Sequence, residues 1–314
     1  MDNRPLFLYN KLNLNGLVFF RLYLRRYHSL DELYSRVSEI TKQVLYPYIK
    51  EEEISTLNYH FRYYFDHCID MNQIKVISHH FSNHKIEGLT VIDELGTSFS
   101  YEQDNPVSKR HFTLCHELGH FILKHDGSYF TESVDNQESI LEREANIFSA
   151  IVLMPDIVLL SKIYYSCDSF QKVKEDLEVS KQALYFRLID LLRVYQVDTE
   201  SAIKQAVDEY LDGQNASLHH YFHQLKEILI EEFNQYQPSL IERLKKRLKR
   251  TNFVTSQELP ELLDQTRWDE IRAVKKFKVW LVYNKGKSLA YVWDSEKLSE
   301  TEARRKANLE LLVM

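Results

Sequence analysis

The sequence is poor in the residues that break or cross-link a chain. Its 314 residues include only 7 Gly, 6 Pro and 3 Cys. The cysteines, Cys68, Cys115 and Cys167, are odd in number and form no CxxC pair, which argues against a disulfide framework and is typical of a reducing compartment. The scarcity of Gly and Pro, beside 20 Tyr and 17 Phe, favours a helix-rich architecture over a turn-rich β-sandwich.

Long apolar runs and a strong net charge are also missing. The short run "LVFF" at 17–20 is followed at once by Arg21, so we expect no signal peptide. No apolar run approaches the roughly 20 residues that cross a bilayer. The formal net charge of −6 is mild and does not suggest bulk binding to nucleic acid. We therefore expect a cytoplasmic protein with no membrane partner.

The motif "HELGH", residues 116–120, carries the chemistry. Residues four apart on a helix project from one face, so His116 and His120 could bind one metal ion, with Glu117 beside them. This H-E-x-x-H arrangement combines two zinc ligands with a general base. Bound zinc lowers the pKa of water to about 7, and the base takes a proton from that water and returns one to the leaving amine. A chance HExxH has a probability on the order of a few per cent here, so the rest of the site is needed.

Gly119 is an unusual residue for the middle of this helix. Glycine in a helix interior costs roughly 1 kcal/mol relative to alanine. We expect that a neighbouring helix passes too close to this position for a side chain.

A catalytic zinc site needs a third protein ligand, and the next predicted helix offers two candidates, Glu142 and Glu144. Asn146 lies four residues after Glu142 on the same face, where it could orient the ligands by hydrogen bonding. Glu144 lies about 200° around the helix from Glu142. We favour Glu142 as the ligand, with Asn146 as its supporting neighbour, and keep Glu144 as the alternative.

Around these motifs the spacing predicts a small antiparallel sheet packed among helices. The predicted elements are a helix at 51–67, a strand at 74–81, a hairpin of strands at 88–93 and 97–102, the HELGH helix at 107–124, an irregular polar loop at 126–138 and a helix from 139 to Pro155. The edge of the hairpin could hold a peptide substrate by strand addition. A second hairpin is predicted at 276–283 and 288–293.

The segments "FTLCHELGHFILKH" and "EREANIFSAIVLMP" resemble the ImmA/IrrE family of bacterial metallopeptidases. The family pattern is close to F-T-x-x-H-E-x-G-H followed by E-x-x-A-N/D-x-F-A-A-x-L-L-M-P, and Ser149 stands in place of the first Ala of its A-A pair. The resemblance covers about residues 70–195. It implies a helix-rich, gluzincin-like α+β fold and a Zn²⁺ cofactor. The roles it implies are zinc ligation by His116, His120 and Glu142, and general base catalysis by Glu117.

With this resemblance the chain divides into four expected segments. They are an N-terminal helical extension (1–69), a zinc metallopeptidase core (70–165), a helical segment resembling a helix-turn-helix (166–212) and a smaller α+β domain of unknown role (213–314). The last boundary depends on "DGQNAS" at 212–217, which has the composition of a linker.

The resemblance also implies a substrate class, namely helix-turn-helix repressors of mobile elements or stress regulons. Two alternatives remain: a DNA- or protein-binding regulator that keeps the peptidase fold as a scaffold, and a toxin-like component of a mobile element. The helix-turn-helix-like segment carries Lys181, Arg187 and Arg193 against Asp190, which is a weak footprint for DNA. A structural role for this segment is the better supported expectation.

Overall fold

The computed structural model describes residues 29–81, 86–94, 96–125, 129–133 and 139–313, and of residues 29–31 and 129–133 it describes the backbone only. The chain folds into two compact units, Met1–Tyr236 and Gln237–Met314. Helices dominate the described residues, and two small sheets accompany them. The predicted α+β class is therefore confirmed.

The first unit is built mainly of helices. Its helices are α1 (Ser29–Glu51), α2 (Phe61–Asn72), α3 (Val107–Ile122), α4 (Ile140–Leu153), α5 (Asp156–Leu159), α6 (Phe170–Asp176), α7 (Lys181–Val194), α8 (Glu200–Leu211) and α9 (Ala216–Gln235). A π-helical turn, Leu160–Tyr165, follows α5 directly. Its strands are β1 (Lys75–His79), β2 (Ile86–Asp93), β3 (Gly96–Glu102) and β4 (Tyr129–Ser133).

The sheet of this unit has the order β1-β3-β2-β4. Strands β2 and β3 form the predicted hairpin, with Thr90 opposite Phe99. Strand β1 runs parallel to β3, and β4 pairs antiparallel with β2. Both sides of the hairpin are therefore covered, which corrects the expectation of a free hairpin edge and of a wholly antiparallel sheet. Among the described strands, β1 and β4 form the edges.

The other local differences follow from caps and turns. The predicted helix at 51–67 is wrong in its bounds, because α1 continues through Pro47 to Glu51. A short 3₁₀ turn, Thr56–Asn58, then separates it from α2. Strand β4 lies inside the predicted irregular loop at 126–138, and the remaining positions of that loop are outside the described residues.

Helix α4 lies at the centre of the first unit. Phe148, Ile151 and Val152 on this helix are fully buried. The helical stretch Ile140–Tyr165 is long and apolar enough by composition to cross a membrane, contrary to the expectation that no stretch of the sequence is. Since 83% of its most apolar window is buried inside the protein, it has the burial of a core helix.

The boundary between the two units falls after residue 236, whereas the sequence placed it after residue 212. Helix α9 accounts for the difference. Its apolar stripe of Leu218, Phe222, Leu225 and Leu229 is buried in the core of the first unit. The turn at 212–215 therefore connects two helices of one unit, and its linker-like composition was misleading.

The second unit is a three-stranded sheet with helices. Its helices are α10 (Leu240–Thr251), α11 (Trp268–Ala273) and α12 (Glu300–Val313), and its strands are β5 (Phe253–Thr255), β6 (Phe277–Asn284) and β7 (Lys287–Asp294). The strand order is β5-β7-β6, and β6 and β7 form the second predicted hairpin. The turn residues Lys285 and Gly286 both have positive φ, as a tight two-residue hairpin turn requires.

Candidate metal centre

Helices α3 and α4 pack closely where the HELGH motif lies. A Cβ built on Gly119 would lie 3.1 Å from the Cα of Ala145 and 3.2 Å from Cδ1 of Phe148. Most of this obstruction is backbone, so a larger side chain has no room without separating the helices. The expectation that a neighbouring helix passes too close to this glycine is confirmed.

The helix pair brings three donor groups together. The Nε2 atoms of His116 and His120 are 3.0 Å apart. The carboxylate of Glu142 lies 3.0 Å from His116 Nε2 and 3.5 Å from His120 Nε2. Both histidines are almost completely buried, and the Glu142 side chain is 12% exposed. The structure therefore places Glu142, rather than Glu144, beside the histidine pair.

The opposite ring nitrogens of both histidines are held by other side chains. His116 Nδ1 lies 2.8 Å from Oδ1 of Asn146. His120 Nδ1 lies 2.8 Å from Nδ1 of His125. An amide oxygen only accepts, so His116 carries its proton on Nδ1 and turns an Nε2 lone pair toward the cluster. Asn146 was expected to support Glu142, and in the structure it contacts His116 instead.

This donor set fits a divalent cation. With the protons on the Nδ1 atoms, two Nε2 lone pairs and a carboxylate face one another inside the protein, and their mutual repulsion needs a positive charge between them. Tetrahedral zinc, with Zn–N distances of about 2.0–2.1 Å, takes two histidines and a glutamate in many hydrolases and leaves a fourth position open. One ligand atom from each of His116, His120 and Glu142 lies within 4.8 Å of the other two.

The electrostatics favour the ligand forms of these side chains. Burial raises the pKa of Glu142, but protonated His116 and His120 outweigh this and lower the pKa to about 2, so in the absence of an ion it is positive charge on the two histidines that keeps the carboxylate ionised. Burial lowers the pKa of His120, because the charged imidazolium is poorly solvated there. A carboxylate and a neutral imidazole are the forms that bind metal.

Glu117 lies on α3 against strand β2. Its carboxylate is fully buried, and its Oε2 accepts a hydrogen bond of 2.5 Å from Oγ1 of Thr90. Gly88, two residues before Thr90 on the same strand face, leaves room for this carboxylate. A Cβ on Gly88 would overlap Oε1 of Glu117 and lie 2.5 Å from Cγ2 of Thr113.

Sequence reasoning missed both strand residues. A signal was present, since a glycine inside a strand often marks the close approach of another group.

Glu144 occupies a different position from Glu142, as their spacing on the helix predicts. It is buried, and its Oε2 lies 2.8 Å from Nε2 of His125. Its Oε1 accepts a hydrogen bond from the Arg36 guanidinium of α1. The sequence analysis assigned no role to His125 or Arg36. His125 follows the motif closely enough to have been found, whereas nothing in the local sequence marks Arg36.

A second group of donors, His80, Glu102 and Asp104, is of a different kind. His80 Nδ1 lies 2.8 Å from Asp104 at an exposed position. The carboxylate oxygens of Glu102 accept hydrogen bonds from the backbone N–H groups of Phe81 and Asp104. Because backbone amides already occupy both oxygens, this group is a capped turn rather than a second prepared centre.

The helix-turn-helix-like segment exists as α6 and α7, but its central basic residue does not face solvent. Arg187 is 1% exposed and binds the Asp156 carboxylate inside the protein. Arg193 pairs with Asp190 at 2.9 Å. The predicted DNA footprint therefore loses Arg187, which packs into the first unit.

The buried HExxH helix and the carboxylate of the following helix, within an α+β domain, define a metallopeptidase-type domain. Residues 70–189 match the family model described as the IrrE N-terminal-like domain, Peptidase M78. The resemblance to the ImmA/IrrE family is thereby confirmed. No curated protein matches the chain. Helix α1 and the second unit lie outside the matched residues.

Proposed function

We propose that the chain is a cytoplasmic zinc-dependent endopeptidase that hydrolyses a peptide bond in a helix-turn-helix transcriptional repressor. The observation that carries the hydrolase is the convergence of His116, His120 and Glu142 beside the buried Glu117. The substrate class is an inference from the ImmA/IrrE family, whose model residues 70–189 match.

In this proposal each side chain has a separate task. His116, His120 and Glu142 hold the ion. When bound there, zinc supplies Lewis acidity, which lowers the pKa of water to about 7 and polarises the scissile carbonyl. Glu117 takes the proton of the attacking water and returns a proton to the leaving amine. Thr90 holds the Glu117 carboxylate through its 2.5 Å hydrogen bond and so limits its orientations.

We propose that an extended substrate pairs with the edge of the sheet. Among the strands that the structure describes, β4 is the edge strand next to β2, and it contacts the HELGH helix. An exposed strand edge binds a peptide through main-chain hydrogen bonds, largely independently of its sequence. Substrate selection then requires contacts elsewhere, and we assign these to the residues outside the matched domain.

The regulator alternative has less support. The helix-turn-helix-like segment turns Arg187 inward, and the donor cluster has the composition of a working metal centre rather than of a remnant. A toxin-like peptidase would use the same active site on a different protein, so only a substrate experiment separates it from the leading proposal.

The direct test is incubation of the purified protein with the repressor encoded next to it, with and without a chelator, read by intact mass. We expect one cut that the chelator abolishes. Glu117→Gln should keep its zinc and lose about 10²- to 10⁴-fold in cleavage rate, the usual contribution of a general base. Undiminished cleavage by Glu117→Gln, or by the chelated protein, would refute the mechanism. If the zinc-loaded protein cuts a control substrate but leaves the repressor intact, the hydrolytic mechanism stands and only the proposed substrate class is refuted.

A further inference from the structure

A row of side chains leads from the candidate ligand His120 to the surface of helix α1. His120 Nδ1 contacts His125 Nδ1 at 2.8 Å. His125 Nε2 contacts Glu144 Oε2 at 2.8 Å, and the other oxygen of Glu144 accepts from Arg36. The side chains of His125 and Glu144 are 4% and 7% exposed, so water competes little for these contacts.

The Glu144 carboxylate in this row determines which ring nitrogen of each histidine donates a hydrogen bond and which accepts one. A carboxylate only accepts, so His125 donates to Glu144 from Nε2. In a neutral imidazole the remaining nitrogen, Nδ1, is then an acceptor, and it takes the Nδ1–H of His120. His120 is left with a lone pair on Nε2, the atom that faces His116 and Glu142. The row therefore selects the tautomer of His120 that can bind metal.

The backbone after α3 explains how His125 reaches back to His120. Lys124 has a φ of +56°, a left-handed conformation that glycine usually occupies at a helix end. The N–H of His125 donates to the carbonyl of His120 at 3.1 Å, and the N–H of Lys124 donates to that of Phe121 at 3.3 Å. This pair of bonds is a Schellman motif, and it turns the chain so that the His125 ring lies beside the last turn of the helix.

Arg36 enters the row from outside the matched family domain. It lies on α1, which ends before residue 70, where the family match begins. By binding one oxygen of Glu144, the guanidinium orients the carboxylate and leaves the other oxygen for His125. Helices α1 and α4 are in contact, so the bond adds to an existing packing interface.

We propose that Arg36, Glu144 and His125 are positioning residues that hold His120 in its metal-binding tautomer, so that helix α1 contributes to zinc affinity. This rests on the proposed zinc site. Supporting side chains of this kind typically change metal affinity by about 10- to 100-fold when removed. Glu144, the alternative ligand of the sequence analysis, thus acts through His125 rather than on the metal.

The first experiment measures zinc affinity by competition with a chromophoric chelator in the full-length protein. His125→Ala should weaken zinc binding about 10- to 100-fold. His125→Asn should recover part of the loss, since the Asn oxygen can accept from His120 at the place of the missing ring nitrogen. The visible absorption of the Co²⁺-loaded protein should shift in His125→Ala and return toward wild type in His125→Asn.

The second experiment tests helix α1. Arg36→Glu should weaken zinc binding about tenfold, which is the lower end of the range found when a supporting side chain is removed. Arg36→Lys should retain most of the affinity because it keeps the charge. Arg193→Glu is the matched control, since Arg193 is also a part-exposed arginine, and its ion pair is with Asp190 rather than with Glu144. In a His125→Ala background the effect of Arg36→Glu should disappear, because the row is already broken.

The outcomes separate this inference from the function on which it rests. If the wild-type protein binds no zinc, the proposed function fails. If the wild type binds zinc, but His125→Ala and Arg36→Glu bind it equally well with unchanged Co²⁺ spectra, only the positioning role is refuted. If His125→Ala does not fold, His125→Asn and Arg36→Glu decide the question, with thermal unfolding of the metal-free proteins showing that each variant is folded.

Discussion

Helix α1 contributes a cation to each of two buried polar networks among the described residues of the first unit. One is the HELGH cluster, supported by Arg36 through Glu144. The other joins Lys42 of α1 to Asp156, whose carboxylate also binds Arg187 of α7. Both lie on the apolar helices of the same core, yet their chemical character is opposite.

In the Asp156 network, cations and anions are balanced. Lys42 Nζ lies 2.6 Å from Asp156 and 2.8 Å from Glu232. Arg187 binds Asp156 and donates to the hydroxyl of Tyr34 at 2.8 Å. Burial raises the pKa of Asp156, but Lys42 and Arg187 outweigh it and lower the pKa to about 2. This network fastens α1, α5, α7 and α9 together and uses its charges on one another.

In the HELGH cluster, by contrast, the three converging groups are all electron-pair donors. Their partners Asn146 and His125 occupy the far side of each ring and leave the near side to an ion. The difference teaches that burial and ionisable residues do not by themselves mark a site. A metal site is marked instead by oriented electron-pair donors whose combined charge the protein has not already balanced.

The largest stability effect should come from the balanced network. Asp156→Asn leaves Arg187 without its buried carboxylate and Lys42 with Glu232 alone, so the network keeps one uncompensated positive charge, which should lower the free energy of unfolding by about 3–5 kcal/mol. Zinc affinity of the folded variant should not change. Urea denaturation followed by far-UV circular dichroism measures this change. Tryptophan fluorescence would report on the wrong part of the protein, because all three tryptophans lie in the second unit. Asp190→Asn, at a part-exposed pair, is the control and should change the value by about 1 kcal/mol or less.

On the side of the metal cluster, Gly119→Leu should separate α3 from α4. Helix propensity alone would raise the free energy of unfolding by about 1 kcal/mol. Overpacking of the leucine against Ala145 and Phe148 should instead lower it by about 1–3 kcal/mol. Zinc affinity should fall with it, because the ligands come from both helices. Thermal unfolding and zinc competition measure the two effects. A more stable variant with intact zinc binding would show that the close approach of the helices is unimportant.

Gly88→Ala should impair the general base Glu117 and leave metal binding unchanged. The new methyl group displaces the Glu117 carboxylate, and a misplacement of about 1 Å can cost roughly 10²-fold in rate. Zinc content should stay at the wild-type level. Cleavage rate and metal content measured on the same preparation test this. Leu89→Ala, on the opposite face of β2, is the control and should retain activity. Wild-type cleavage by Gly88→Ala would mean that Glu117 is not held against β2 during the reaction.

The smallest expected effect is a pH dependence of stability. The folded pKa of Asp156 lies below its ordinary value of 3.8, at about 2. Its ion pairs therefore stabilise the protein fully above about pH 4, and this stabilisation is lost as the pH falls from about 4 through 2. The free energy of unfolding of the metal-free protein should decline over this range, and the decline should be smaller in Asp156→Asn. Equal slopes in both proteins would contradict the assignment.

The sequence could predict the parts of this structure that depend on local periodicity. The hairpin of β2 and β3, the HELGH helix and the following helix are examples, since each has a clear apolar period or turn residues. The pairing of β1 with β3 and the existence of β4 were not accessible in this way. Their hydrogen bonds depend on distant strands, and β4 is short and lies in a polar segment.

At the site, the HExxH spacing located His116, Glu117 and His120, and helical geometry separated Glu142 from Glu144. Arg187 was wrongly counted as a DNA-facing residue, because the prediction rested on its charge and ignored its position on the helix. It lies three residues after Leu184 and four before Leu191, on the buried stripe of α7, which already indicated burial. Arg36 could not have been found, because its contact depends on how α1 packs against α4.

The central claim is that the HELGH cluster, and not the balanced network, is a zinc centre. Metal analysis of the purified full-length protein by inductively coupled plasma mass spectrometry tests it most directly, with His116→Ala and Asp156→Asn beside the wild type. The account predicts about one zinc per chain in wild type and in folded Asp156→Asn, and almost none in His116→Ala. A folded wild-type protein that takes up no zinc when it is supplied, or a His116→Ala variant that retains zinc, would contradict it.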